Sequence, residues 1–109
     1  MKVVGHGNQA VYVYHYKAYE TADTYYYPCK IGMTRTNVLD RIHDQVKTSS
    51  PEKPVIDLVV LCDNSKNLER ALHAILILHE RKIESATGTE WFDTTGDEVL
   101  TLCQMLNMC

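Results

Sequence analysis

The chain has 109 residues, enough for one domain with one modest core. Hydrophobic residues make up 45% and charged residues 23%, the ordinary balance of a soluble globular protein. The formal net charge of -3 excludes the general basicity of a protein that coats nucleic acid, but not a local basic patch.

Met1 to Gln9 contains two glycines and an asparagine and reads as a lead-in. Ala10 to Lys17 is the first predicted strand. Its alternation puts Val11, Val13 and His15 on one face and Tyr12, Tyr14 and Tyr16 on the other. Ala18 to Tyr25 is polar and predicts a loop longer than a two-residue hairpin turn. Tyr25 to Met33 is the second strand, with Pro28 expected at an edge or bulge. It runs into a glycine at Gly32, which a tight turn or a close backbone approach would require.

Asn37 then caps a helix, with Asp40 near the positive end of its dipole. Leu39, Ile42 and Val46 predict its core-facing stripe, ending near Lys47. Thr48 to Pro54 is a loop, and Val55 to Cys62 a strand apolar enough to be buried on both faces. Asp63-Asn64-Ser65 starts the longest helix, predicted to reach Ile83. Leu68, Leu72, Ile75, Leu76, His79 and Ile83 line one side; Glu69, His73 and Glu80 fall on another. Gly88 lies in the stretch from Ser85 to Thr89 that ends it. Glu90 to Asp93 is either a last strand or an extended segment, with Trp91-Phe92 read as core or fold-closing. Thr94 to Asp97 caps a final helix ending near Asn107, with Val99, Leu102, Cys103 and Leu106 as its stripe. Tyr25-Tyr26-Tyr27 is expected to cover the sheet edge, and His15 and His79 to pack and hydrogen-bond.

The pattern is α+β: a single domain over residues 1–109, with a small, mainly antiparallel three-stranded sheet flanked by helices. Cys29, Cys62, Cys103 and Cys109 form no Cys-x-x-Cys pair and offer no zinc spacing. No signal peptide is visible, and no apolar run approaches the ~18 residues of a membrane span. The expectation is a cytoplasmic protein, or a nuclear one in a eukaryotic or viral setting, with reduced thiols and no membrane partner.

Five short motifs stand in order: Ala10-Val11-Tyr12, Lys30-Ile31-Gly32, Arg41, Glu69 with Leu72-His73, and Glu90-Trp91-Phe92. Together they resemble the GIY-YIG nuclease superfamily. The branch they are most similar to is named after a bacteriophage T-five open reading frame and includes a fungal meiotically up-regulated protein. The resemblance covers roughly residues 10–93 and implies metal-dependent hydrolysis of a DNA phosphodiester. It implies one magnesium or manganese ion held by Glu69, an oxygen ligand suited to magnesium. Arg41 would offset charge on the phosphate oxygens, and Tyr12 would position or deprotonate the attacking water. His73 is a further candidate base. Lys30, Thr34, Arg35 and Arg41 would contact the nucleic acid, and Lys30 would join the catalytic set by binding phosphate or lowering the pKa of Tyr12. The chain departs from the family at three points. Lys30 replaces the second signature tyrosine, Ala10 replaces the first signature glycine, and no late asparagine is evident.

Two other readings stand beside the nuclease. One is a nucleic-acid-binding module that kept the fold and lost efficient chemistry, favoured by Lys30. The other is a protein-interaction domain, favoured by the net charge. A nuclease of this length is expected to have weak sequence preference, or to gain specificity from a homodimer or a partner protein.

Overall fold

The computed structural model describes residues 1–20, 25–46, 53–84 and 91–107. The predicted loop at Thr48 to Pro54, the Gly88 segment and Cys109 lie wholly or mostly outside them. The elements in chain order are β1 (Lys2–Gly5), β2 (Gln9–His15), β3 (Tyr27–Thr34), α1 (Val38–Val46), β4 (Val55–Cys62), α2 (Ser65–Leu78), β5 (Trp91–Thr94) and α3 (Gly96–Met105). The strands form one mixed sheet in the order β1-β4-β2-β3-β5. β1 runs parallel to β4, and the other neighbouring pairs are antiparallel.

The sheet therefore has five strands, not three. Both additions are edge strands of four residues. So short a strand has too few alternating positions to show a period. Lys2–Gly5 is a strand rather than a lead-in because β4 offers it a ladder. Gly5, at the end of that strand, has φ +80°, a left-handed backbone that glycine adopts without strain. Pro28 is not on an edge strand. It pairs with Asp93 of β5, and β2 reaches only as far as Lys30, so Pro28 has a strand on one side alone.

The alternation in β2 sorts the interior. Val11 and Val13 join Ile31, Leu58, Val60, Leu72, Phe92 and Val99 in the core under α2 and α3. Tyr12 and Tyr14 face the other way and pack with Ile42 of α1. Trp91 closes that second face, stacked on Tyr16 at 6.0 Å and edge-on to Tyr14 and Tyr19. His15 is buried, with its ring nitrogens 2.6 Å from Asp57 and 2.7 Å from Glu20. Burial holds the Cys29 thiol well above its ordinary pKa, so it stays protonated and inert.

Several side chains depart from the helical stripes. Leu39 is 57% exposed, and Ile42 with Val38 seats α1 instead. α2 stops at Leu78, so Glu80 and Ile83 are not on it; Glu80 has φ +59°. The chain then runs along the outer edge of β5. Ile83 N–H donates to Trp91 at 3.0 Å, and Asp93 N–H donates to Arg81 at 2.8 Å. The open backbone groups of β5 compete with further helical turns, and they win. His79 and Leu106 are exposed rather than packed.

Arg81 ties this edge to α3. Its guanidinium donates to both Glu98 oxygens, at 2.9 and 3.0 Å, and lies 3.8 Å over the Tyr26 ring. Burial alone would push the Glu98 carboxyl up, but hydrogen bonds from Thr94 and Arg81 outweigh it and hold the pKa below the ordinary value. A depressed carboxylate stabilises the fold fully above the unfolded pKa of ~4.3 and ceases to as pH falls through the folded value. Arg81→Met removes this contribution. Urea denaturation of wild type and variant should give stabilities whose difference is largest at neutral pH and shrinks as pH falls through the lowered Glu98 pKa. A gap that stays constant with pH would contradict the assignment.

Candidate functional site

β3 ends at Thr34, and the chain turns into α1 through Arg35 and Thr36. Thr34 fixes that turn: its hydroxyl accepts from Thr36 N–H at 3.0 Å and lies 3.1 Å from the Thr36 hydroxyl. Asn37 accepts from Asp40 N–H at 3.1 Å, which sets where α1 begins. Arg41 follows one residue later and is exposed.

A cleft of about 550 Å³ opens at this end of the sheet, lined by Met33, Thr34, Arg35, Thr36, Arg41, Lys66, Glu69 and Arg70. α1 supplies one wall and α2 the other; the β3–α1 turn lies between them. Among the described residues, four cationic side chains and one carboxylate line it, in a chain whose net charge is -3. The local field is thus opposite in sign to the whole molecule's, which suits an anion.

Of the residues singled out from the sequence, Thr34, Arg35, Arg41 and Glu69 meet in this cleft. Tyr12, Lys30 and His73 do not line it. Tyr12 is 0% exposed. It sits directly across from Gly32, and Lys30 across from Tyr14. Lys30, Gly32 and Thr34 alternate along one face of β3, so Gly32 lies about 7 Å and Lys30 about 14 Å from Thr34 along the strand. His73 Nε2 donates to the Ile31 carbonyl at 2.9 Å, and its ring packs on Phe92 at 4.7 Å. It braces α2 against β3.

Gly32 lies within β3, not in a turn. Its reason is close approach: a Cβ there would lie 2.5 Å from Tyr12 Oη and 2.6 Å from Cζ. The buried ring crosses the space a side chain would fill. Gly32→Ala should therefore destabilise the fold by about 1–3 kcal/mol by overpacking. Urea denaturation tests this, and Tyr12→Leu in the same chain should recover part of the loss. Equal stability of wild type and Gly32→Ala would show that the ring moves aside freely.

Lys66 and Arg70 were not picked out from sequence. The signal was available: Lys66 and Arg70 are four apart and neighbours on one flank of the helix, and Lys66 is three before Glu69. Cations on a surface helix are common, so spacing alone did not separate them from solvated side chains. Among the described residues, no three His, Cys, Asp or Glu side chains cluster to hold a metal. One carboxylate with neighbouring hydroxyls fits magnesium, which keeps most of its waters, and does not fit an ion caged by protein.

Fold and cleft together define a small α+β domain with an anion-attracting groove built between two helices around a single carboxylate. The chain belongs to the T5orf172 domain family, which it matches over residues 9–107. Neither the curated proteins nor the solved structures yield a match. Among the described residues, no helix is long and apolar enough to cross a membrane.

Proposed function

We propose that the cleft binds a DNA phosphodiester and hydrolyses it with a divalent metal, as the GIY-YIG resemblance implies. One observation carries this reading. Arg41 and Glu69, far apart in the chain and on different helices, line the same cleft. Family membership is consistent with a nuclease-like or DNA-binding role.

In this reading Glu69 holds magnesium or manganese through its carboxylate. The bound ion supplies Lewis-acid stabilisation of charge on the phosphate and the leaving oxygen. Arg41 donates to the non-bridging oxygens, where charge builds as the phosphorus is attacked. Arg35 holds the substrate at the turn, which Thr34 orders. Tyr12 acts as a positioning residue: its ring fills the space above Gly32 and keeps β3 in register behind the turn.

The test is plasmid nicking in magnesium or manganese, comparing wild type with Arg41→Ala. Removing one transition-state donor should cost about 10²–10³ in rate. Undiminished nicking by Arg41→Ala would exclude this role.

A second reading has its own support. Glu69 is the sole cleft-lining side chain among the described residues that could serve as a base, since Tyr12 is enclosed and His73 donates to Ile31. A domain that binds nucleic acid without cutting it would show salt-sensitive binding that survives Glu69→Ala, and no nicking in either metal.

A further inference from the structure

The charge around the cleft exceeds what one phosphodiester needs. A phosphodiester carries a single negative charge. Glu69 and one such group would leave two of the four lining cations uncompensated, and a divalent ion would increase the excess. The two that the reaction does not use are Lys66 and Arg70, both exposed on α2.

The helix dipole does not account for Lys66. α2 begins at Ser65, so Lys66 sits in its first turn, where the dipole is positive and which itself holds no acidic residue. A cation there opposes the dipole. A bound anion reverses the sign of the effect.

The helix also spaces the two cations along the cleft. Lys66 lies about 4.5 Å toward the N-terminus from Glu69, and Arg70 about 1.5 Å beyond it. Along the axis one cation stands before the carboxylate and one after it, and both line the cleft. We propose that Lys66 and Arg70 bind the phosphates flanking the one at Arg41 and Glu69. The site then takes a strand with at least three consecutive phosphates, and a lone nucleotide is a poor ligand. Lys66 and Arg70 are specificity-determining residues for an oligonucleotide over a monomer. This deepens the phosphodiester reading and rests on its placement of the central phosphate.

The experiment compares wild type with the double variant Lys66→Gln/Arg70→Gln. A labelled single-stranded DNA 12-mer is titrated by fluorescence anisotropy over a range of salt, and thymidine monophosphate is titrated as competitor. Both residues are exposed, so the variant keeps the fold, which circular dichroism checks. The slope of log affinity against log salt should fall by about 1.4, at ~0.7 per single-strand phosphate contact. Thymidine monophosphate should compete equally with both proteins. Unchanged slope and affinity for the 12-mer would overturn the proposal. So would an equal loss for monophosphate and 12-mer, which would put the two cations on the central phosphate. Lys66→Glu/Arg70→Glu, with reversed charges, should abolish 12-mer binding, and retained binding would overturn the proposal again. The outcomes separate from those of the hydrolysis reading. A 12-mer bound with the expected slope but never cut would sink hydrolysis alone, while cutting that needs Glu69 but is indifferent to the double variant would sink this inference alone.

Discussion

Glu69→Ala should abolish metal-dependent nicking, with a loss of roughly a thousandfold, while leaving DNA bound. Among the described residues Glu69 is the one carboxylate lining the cleft, with four cations, so none of the other described lining side chains replaces it as a carboxylate ligand for magnesium. Loss of the ion removes the strongest stabilisation available to the developing charge. Binding in the absence of metal should move the other way. The carboxylate repels phosphate, so removing it should tighten metal-free binding by about a few-fold, and most at low salt. Glu69→Gln separates the two effects, because it keeps the shape and loses the charge. Nicking assays and anisotropy with and without magnesium read both quantities. Wild-type cleavage by Glu69→Ala would end the metal assignment, and weakened metal-free binding would show that Glu69 orders the cationic side chains instead of opposing them.

Phe92→Ala should cost about 3–5 kcal/mol, the largest stability loss expected from a single core truncation here. Phe92 is 0% exposed and lies opposite Cys29 on β3. Its ring meets His73, which in turn donates to Ile31. Removing the ring opens a cavity between α2 and the sheet and takes away the surface against which His73 is held. A small domain has about 5–15 kcal/mol in total, so much of the stability would go. Urea denaturation measures the loss. Trp91→Ala, one residue away on the opposite face, should cost less, because Trp91 is only partly buried. The reverse order would mean that the aromatic face, not the α2 face, carries the fold. The same variant should lower nicking below the melting transition, since α2 carries Glu69.

Much of the architecture was legible in the residues. β2 alternates, and its valines and tyrosines separated onto the two faces as their order required. β4 is nearly continuous in apolar residues and spans the predicted Val55–Cys62. Asn37, Asn64 and Thr95 accept from the first turns of their helices, as capping residues do. These are local properties, decided within a few residues of chain.

What the chain pattern left open was decided by pairing partners distant in sequence. Lys2–Gly5 becomes a strand only because β4 supplies its ladder. Residues 81–83 leave the helical path because β5 offers backbone groups to pair with. Gly32 is a glycine because a tyrosine from the neighbouring strand lies over it. The candidate site divides along the same line. Arg41 and Glu69 stand out in the sequence only through the family resemblance, whereas their meeting in one cleft depends on how α1 and α2 straddle the end of β3. Lys66 and Arg70 acquire meaning only from that meeting. Periodicity and capping act over single turns and strands, so sequence determined the elements that carry their own pattern, while the edge strand Lys2–Gly5 and the end of α2 were left to pairing. Electrostatic fields and close packing act through space, so tertiary structure alone decided which charges share a cleft.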